Sequence, residues 1–455
     1  MQRALLFKML IIGALTLLIC IPMGLINAVI EERTKFRDQA VESVANDSVR
    51  EQTITGPVLV INYTDEYDEL VAVEGDATGK QKLVTQSTAR YHLVFPNELN
   101  IEGSLITDRR YRGIHQVLVY GGQHHFSGDF LLPAIDELQR TSPKSRLTIG
   151  RTSLSLGIED VRGIKKIPKL DWSGKMIEFQ RSPSLRAMAS GMHAPLETMT
   201  LQAPERVKFS FALVLDGIER QHFVPIGKNN KIGMKSNWPH PQFSGRFLPS
   251  PRNRVINDTG FSATWDISSL STNAQQQLTD LQAGVVPKEG MAAGLDRFSV
   301  GFIEPVNVYS MADRAIKYSL LFVALTFAAF FVFEMLKRLP IHPIQYLLVG
   351  LALMLFFLLL VGLSEHIEFA LAYLIASTAC IVLIGFYLSF VMRDWRRGLA
   401  FGTGLTMLYA ALYGLLISEN NALIMGSILL FAVLAAVMVA TRKVDWYQIT
   451  KPESA

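Results

Sequence analysis

Between positions 317 and 443 the chain passes through apolar segments of membrane-crossing length separated only by short polar breaks, which no water-soluble core accommodates. Runs 344–363, 369–392, 398–417 and 420–441 hold no charged residue, and a further run, 318–333, ends at Glu334. Crossing about 30 Å of hydrocarbon takes roughly 20 helical residues, and these runs are of that order. Whatever precedes them is tethered to a bilayer.

The breaks give an orientation. Lys337 and Arg338 follow the first of these runs, Arg393, Arg396 and Arg397 fill the turn near 395, and Arg442, Lys443 and Lys451 follow the last. The alternate turns carry Glu365, Glu368 and Glu419 and no Lys or Arg. Basic residues in short loops stay in the cytoplasm, so the C-terminal tail 442–455 is expected inside. Trp395, Trp446 and Tyr447 fall at the same proposed interface, as belt aromatics do.

Arg3 and Lys8 precede a further uncharged run, 9–30, that is long for a cleavable signal and lacks a good small-x-small site. It reads as a retained first span with residues 1–8 cytoplasmic, and Pro22 is placed to kink it. Residues 31–55 then turn polar, with Phe36, Ala40, Val44 and Ala45 at helical spacing, and read as a stalk.

From 56 to 313 the period changes to that of strands. Runs 58–63, 91–95, 115–120, 153–158, 207–215 and 261–265 are rich in β-branched and aromatic residues, and Phe209, Phe211, Leu213 and Leu215 alternate with small or polar neighbours. Gly121-Gly122, Asp216-Gly217 and Asn257-Asp258 read as turns, while 182–204 and 273–289 read as loops or short helices. Cys20 and Cys380 both lie in apolar runs, so no disulfide is expected to brace this mainly-β, sandwich-like domain. The formal charge of +4 lacks the concentrated basic stripe of a nucleic-acid binder.

Chemistry is sparse. His124 and His125 are adjacent, so on a strand they point to opposite faces and do not share an ion; a turn-region pair is the plainer reading. Glu365, His366 and Glu368 read as a polar interfacial loop, and Glu334 as a surface ion pair with Lys337 and Arg338 one turn on. Small residues such as Gly385, Gly402 and Gly404 suit close helix approach. There is no P-loop, zinc-protease helix, nucleophile elbow or dinucleotide fingerprint, so neither a catalytic, a cofactor nor a metal site is expected. Two patches stand apart: the proline-stiffened 236–243, where Trp238, His240, Phe243 and the nearby Phe247 read as a candidate docking loop or equally as a structural plug closing the sandwich, and Asp313, Arg314 and Lys317, read as a rigid junction where the outer domain meets the second span.

Those patches carry a resemblance. Segments 236–249 (SNWPHPQFSGRFLP), 313–318 (DRAIKY), 324–334 (ALTFAAFFVFE), 342–351 (HPIQYLLVGL), 363–366 (LSEH) and 445–447 (DWY) closely resemble the CreD family of bacterial inner-membrane proteins, in order and over nearly the whole chain. The resemblance implies one N-terminal span, a large periplasmic domain, a C-terminal group of spans and a role in cell-envelope integrity under a stress-response system. It supplies no catalytic residue to transfer.

The expectation is therefore an α-helical bundle of six transmembrane helices, at 9–30, 317–336, 344–363, 369–392, 398–417 and 420–441, with a periplasmic β domain at 56–313. It would bind the lipid bilayer and an unidentified periplasmic or envelope component. A carrier of lipid or small hydrophobic substrates is the alternative, because apolar cargo needs no buried charge.

Overall fold

The computed structural model describes residues 2–72, 81–113, 115–285, 294–304, 308–337, 341–392, 394–418 and 422–442. Arg338, Arg393, Glu419 and the tail residues Lys443, Trp446, Tyr447 and Lys451 lie outside the described residues. The chain forms two compact units, Met1–Gln39 with Pro305–Ala455, and Ala40–Glu304.

The helical unit contains α1 (Gln2–Leu18) and the first part of α2 (Cys20–Asp47); α3 (Ala274–Gln282) is a short helix of the other unit. Next come α4 (Val308–Lys337), α5 (Pro343–Ser364), α6 (Phe369–Val391), α7 (Trp395–Ile417) and α8 (Ala422–Thr441). The single break at Ile19 is explained by Pro22, which has no N–H for the carbonyl four residues back and crowds that turn. α2 runs on through the polar stretch to Asp47, so the expected stalk continues the first apolar helix. α5 begins where His342 and Gln345 form a capping box, and α7 where the Asp394 carboxylate accepts from the Arg396 N–H at 3.0 Å. Both caps satisfy N–H groups that have no partner inside the helix.

Among the described residues five helical stretches are long and apolar enough to cross a membrane: Phe7–Asp47, Tyr309–Met335, Pro343–Ser364, Phe369–Val391 and Trp395–Ile417. Five of the expected six are matched by these stretches. In α8 the described apolar stretch, Ile424–Val439, falls short of that length. α4 also begins at Val308, well before the expected 317, because Asp313, Arg314 and Lys317 sit inside its first turns. Gly398 lets α6 and α7 meet, since a Cβ there would lie 2.9 Å from the Gly385 carbonyl oxygen. At Gly402 the nearest atom is 3.9 Å away and at Gly404 none is close, so the small residues singled out there do not make that approach.

The other unit is built on strands β1 (Gln52–Ala72), β2 (Gln81–Val94), β3 (Glu98–Arg112), β4 (His115–Leu132), β5 (Arg146–Ile158), β6 (Lys169–Trp172), β7 (Lys175–Glu178) and β8 (Gln180–Arg181). They continue as β9 (Gly191–Leu196), β10 (Glu205–Ile218), β11 (Arg220–Val224), β12 (Asn229–Ser236), β13 (Pro241–Gly245), β14 (Arg254–Asn257), β15 (Gly260–Ser268) and β16 (Phe298–Phe302). The first sheet has the order β13-β16-β11-β1-β5-β9-β8, with β2 also paired to β1, and the second β14-β15-β12-β3-β4-β10-β6-β7. Both are mixed: β1 runs parallel to β11, and β12 to β3, among otherwise antiparallel pairs.

Their inner faces share one apolar core. Phe209, Phe211, Leu213 and Leu215 are all buried on one side of β10, as alternation demands. Phe126 stacks on Phe211 at 4.6 Å within the second sheet, and Trp265 stacks on Phe298 of the first sheet at 4.7 Å. The Asn257-Asp258 turn joins β14 to β15. Gly121-Gly122 and Asp216-Gly217 are not turns: they lie inside β4 and β10, paired to each other. Glycine is needed there for close approach, because a Cβ on Gly122 would sit 2.8 Å from Leu105 Cδ2 and 3.0 Å from the Leu215 carbonyl.

Candidate functional site

Residues 236–249 carry the chain from the second sheet to the first. Trp238 is buried, its indole N–H donates to the Ile303 carbonyl at 2.9 Å, and the Arg109 guanidinium lies 5.3 Å over its ring. His240 is exposed, edge-on to Trp238 at 6.4 Å. Phe243 belongs to β13 and packs edge-on against Phe261 and Trp265, while Phe247 rests half-buried on the core. The aromatics at this crossing face inward, with His240 the most open of the four. At the start of α4, Lys317 donates to Asp313 at 2.6 Å across one helical turn, with Arg314 half-buried between them.

The helical unit holds two polar clasps. Glu334 is buried, which corrects the expected surface pair: its carboxylate takes an ion pair from Lys8 of α1, accepts from the Tyr346 hydroxyl at 2.8 Å and from the Ile341 N–H at 3.4 Å. Glu365 is only 8% exposed; Arg33 of α2 approaches it to 3.5 Å and the Tyr309 hydroxyl donates to it at 3.3 Å. It is thus more enclosed than an interfacial loop residue. Each clasp ties α1 or α2 to both α4 and α5.

In the β unit, His124 and His125 do point to opposite faces, from the middle of β4 and not from a turn. His124 is enclosed between the sheets, its Nε2 3.1 Å from the Gln221 amide nitrogen and its Nδ1 without a partner among the described residues. Burial pulls its pKa down to about 4. His125 faces out, into the most developed surface of the domain.

That surface is the outer face of the second sheet. Register aligns three rows across five strands: Asp266, Lys231, Asn100, Ser127 and Ser210; then Thr264, Gly233, Glu102, His125 and Ala212; then Ser262, Lys235, Ser104, Gln123 and Val214. All but Asp266 and Ser210 line an open cavity of about 830 Å³, within the usual range of ligand pockets. No polar side chain in these rows makes a hydrogen bond or ion pair with another described residue. The rows to either side do so: Asn229 donates to Glu98 at 2.8 Å, Arg206 pairs with Asp129 at 3.4 Å, and Lys165 with Asp216 at 3.0 Å. Two lysines face two carboxylates, so the formal charges of the three rows cancel.

The sequence signal for this face was the period-2 alternation of polar residues, but its columns come from distant segments and only the register assembles them.

A family profile described as "Inner membrane protein CreD" matches residues 4–447. The protein of that name from Escherichia coli strain K12 is 32% identical over 456 residues, covering 100% of this chain and 96% of the relative. The chain belongs to the CreD family. As a CreD-family protein with five apolar helices of crossing length, it is an inner-membrane protein. Within that family frame, Glu334, Tyr346 and Glu365 of the two clasps fall in the segments 324–334, 342–351 and 363–366, and 445–447 lies outside the described residues. Among solved structures, an M1 zinc metallopeptidase from Deinococcus radiodurans overlaps 38% of this chain and 38% of its own, at 7% identity and a TM-score of 0.19. A likeness of that size carries no argument about fold or chemistry.

Proposed function

We propose that this CreD-family protein supports cell-envelope integrity by binding, and not by catalysis: its β unit holds an envelope component on the outer face of the second sheet. The observation that carries the reading is the set of three polar rows, open to solvent over a cavity of about 830 Å³ and without internal partners. The paired sheet fixes the backbone from which these side chains extend, so a ligand that bonds them has only side-chain rotamers to order, at about 0.5–1.5 kcal/mol each. In this reading the β unit is periplasmic, both termini are cytoplasmic and α8 completes a sixth crossing, an arrangement supported by Arg396, Arg397 and Arg442 in one set of turns against Glu365 and Glu368 in the other.

Two measurements test it. Reporters fused after Arg397 should respond as cytoplasmic and after Glu419 as external; the reverse pattern overturns the orientation. Cells carrying Glu102→Ala with His125→Ala and Lys231→Ala should lose the envelope barrier that the unaltered chain supports, at unchanged protein level. An intact barrier in those cells sinks the role given to this face.

A further inference from the structure

We infer that the occupant of this face is an uncharged saccharide chain of several linked rings, recognised through its hydroxyl groups. The inference rests on the function proposed above and names the ligand class of the same site.

Four features of the face select that class. Backbone recognition has little to use, because β3, β4 and β12 are hydrogen-bonded on both sides through these rows and β10 is bridged on its outer side at Phe209, Ser210 and Leu215, which leaves an extended peptide only a short length of edge. Apolar and base-stacking ligands lack a broad platform, since the three rows contain no Phe, Tyr or Trp, His125 supplies the one small ring and Val214 is their one branched aliphatic. Over the three rows the formal charges of Lys231 and Lys235 are offset by Glu102 and by Asp266 at the rim, so neither a strongly anionic nor a strongly cationic ligand meets a large surplus of opposite charge. What is offered is ammonium donors, carboxylate acceptors and the amides of Asn100 and Gln123, which do both. A sugar hydroxyl also donates and accepts, so it can use every one of these groups.

Shape agrees with chemistry. With strands about 4.8 Å apart and same-face side chains about 6.7 Å apart along each, the three rows cover roughly 19 by 13 Å. Gly233 and Ala212 lower the floor of the middle row to either side of Glu102 and His125, leaving room for sugar rings to lie against the sheet.

The test titrates the full-length chain in detergent with two neutral probes, maltohexaose and the hexamer of N-acetylglucosamine, by calorimetry at low and high salt. Saturable binding of at least one, millimolar or tighter and little changed by salt, is the expected result. Glu102→Ala should weaken it about tenfold, the loss of one hydrogen bond to a charged group. Because Glu102 is exposed and unbonded, the same variant should unfold like the unaltered chain, and Asn100→Ala provides a second reading.

Three results overturn the inference: no saturable binding of either hexamer, binding indifferent to both substitutions, or binding abolished by salt. The two levels separate cleanly. If cells with the three-residue variant lose their barrier while neither hexamer binds, the face works but its occupant is not a saccharide. If a hexamer binds and those cells keep their barrier, the saccharide site stands and the envelope role of this face falls.

Discussion

Replacing His124 with glutamine should flatten the acid dependence of the β unit's stability. The imidazole is enclosed between the two sheets beside Gln221, and burial lowers its pKa from an ordinary 6.5 to about 4. The unfolded chain therefore takes up the proton first: above pH 6.5 neither state holds it, and between 6.5 and 4 only the unfolded state does. Stability must fall as the solution is acidified through that window, because unfolding is then coupled to proton uptake. The two pKa values give a loss of about 2 kcal/mol between pH 7 and pH 5, and about 3 kcal/mol by pH 4. Asp65, Asp160 and Asp296 do not confuse the upper part of the window. Burial raises each of their pKa values, but hydrogen bonds to the carboxylates outweigh it, so their contribution is complete above the ordinary carboxylate value and is lost only as the pH falls below it. His92 is lowered by burial and does share the window, which is why the comparison with the variant matters. The assay is urea unfolding of the full-length chain in detergent at pH 7 and pH 5, followed through Trp172, Trp238 and Trp265 of the β unit. The unaltered chain should lose about 2 kcal/mol more than His124→Gln over this interval. Equal losses in the two proteins would mean that His124 protonates freely when folded, and the argument from its enclosure would fail.

Other substitutions probe the packing and the clasps. Glu334→Ala leaves the Lys8 ammonium and the Tyr346 hydroxyl without their acceptor and should destabilise the helical unit by about 3 kcal/mol, with Glu334→Gln in between; unchanged helix melting by circular dichroism in detergent would refute the clasp. Phe126→Ala removes a fully buried ring stacked on Phe211 and should lower the urea stability of the β unit by about 3–5 kcal/mol, a value near zero showing that the stack contributes nothing. Gly122→Ala places a methyl group against Leu105 and the Leu215 carbonyl and should cost about 1–3 kcal/mol in the same assay; a neutral result would show that the neighbours yield and that the close approach does not require glycine.

What the sequence revealed follows the range of the interactions involved. The apolar helices were legible because length and freedom from charge are local properties, and β10 because its four apolar residues keep a period of two. Gly121-Gly122 misled because glycine serves turns and close strand approach alike, and only the neighbours of a missing Cβ distinguish them. Glu334 looked like one half of a pair with Lys337 and Arg338, its neighbours in sequence, but its actual partner is Lys8. Depth could have suggested it: if α1 and α4 are consecutive, oppositely directed crossings, the start of one and the end of the other lie at the same side. The polar rows were the least legible feature. Glu102, His125, Lys231 and Asp266 each look like ordinary solvated residues, and they become one surface only when β3 pairs in parallel with β12.

The two clasps also impose an order of events on synthesis. Lys8 and Glu334 are 326 residues apart, with the whole β unit between them. At about 5–20 residues per second, the first helix waits roughly 15–65 s in the membrane before the helix that neutralises Lys8 is made. During that interval Arg33 lacks Glu365 as well. A ribosome that stops before α4 thus leaves a lone apolar helix with an unanswered cation near each end. Completion of the bundle is registered where the earliest and the late helices of the chain meet.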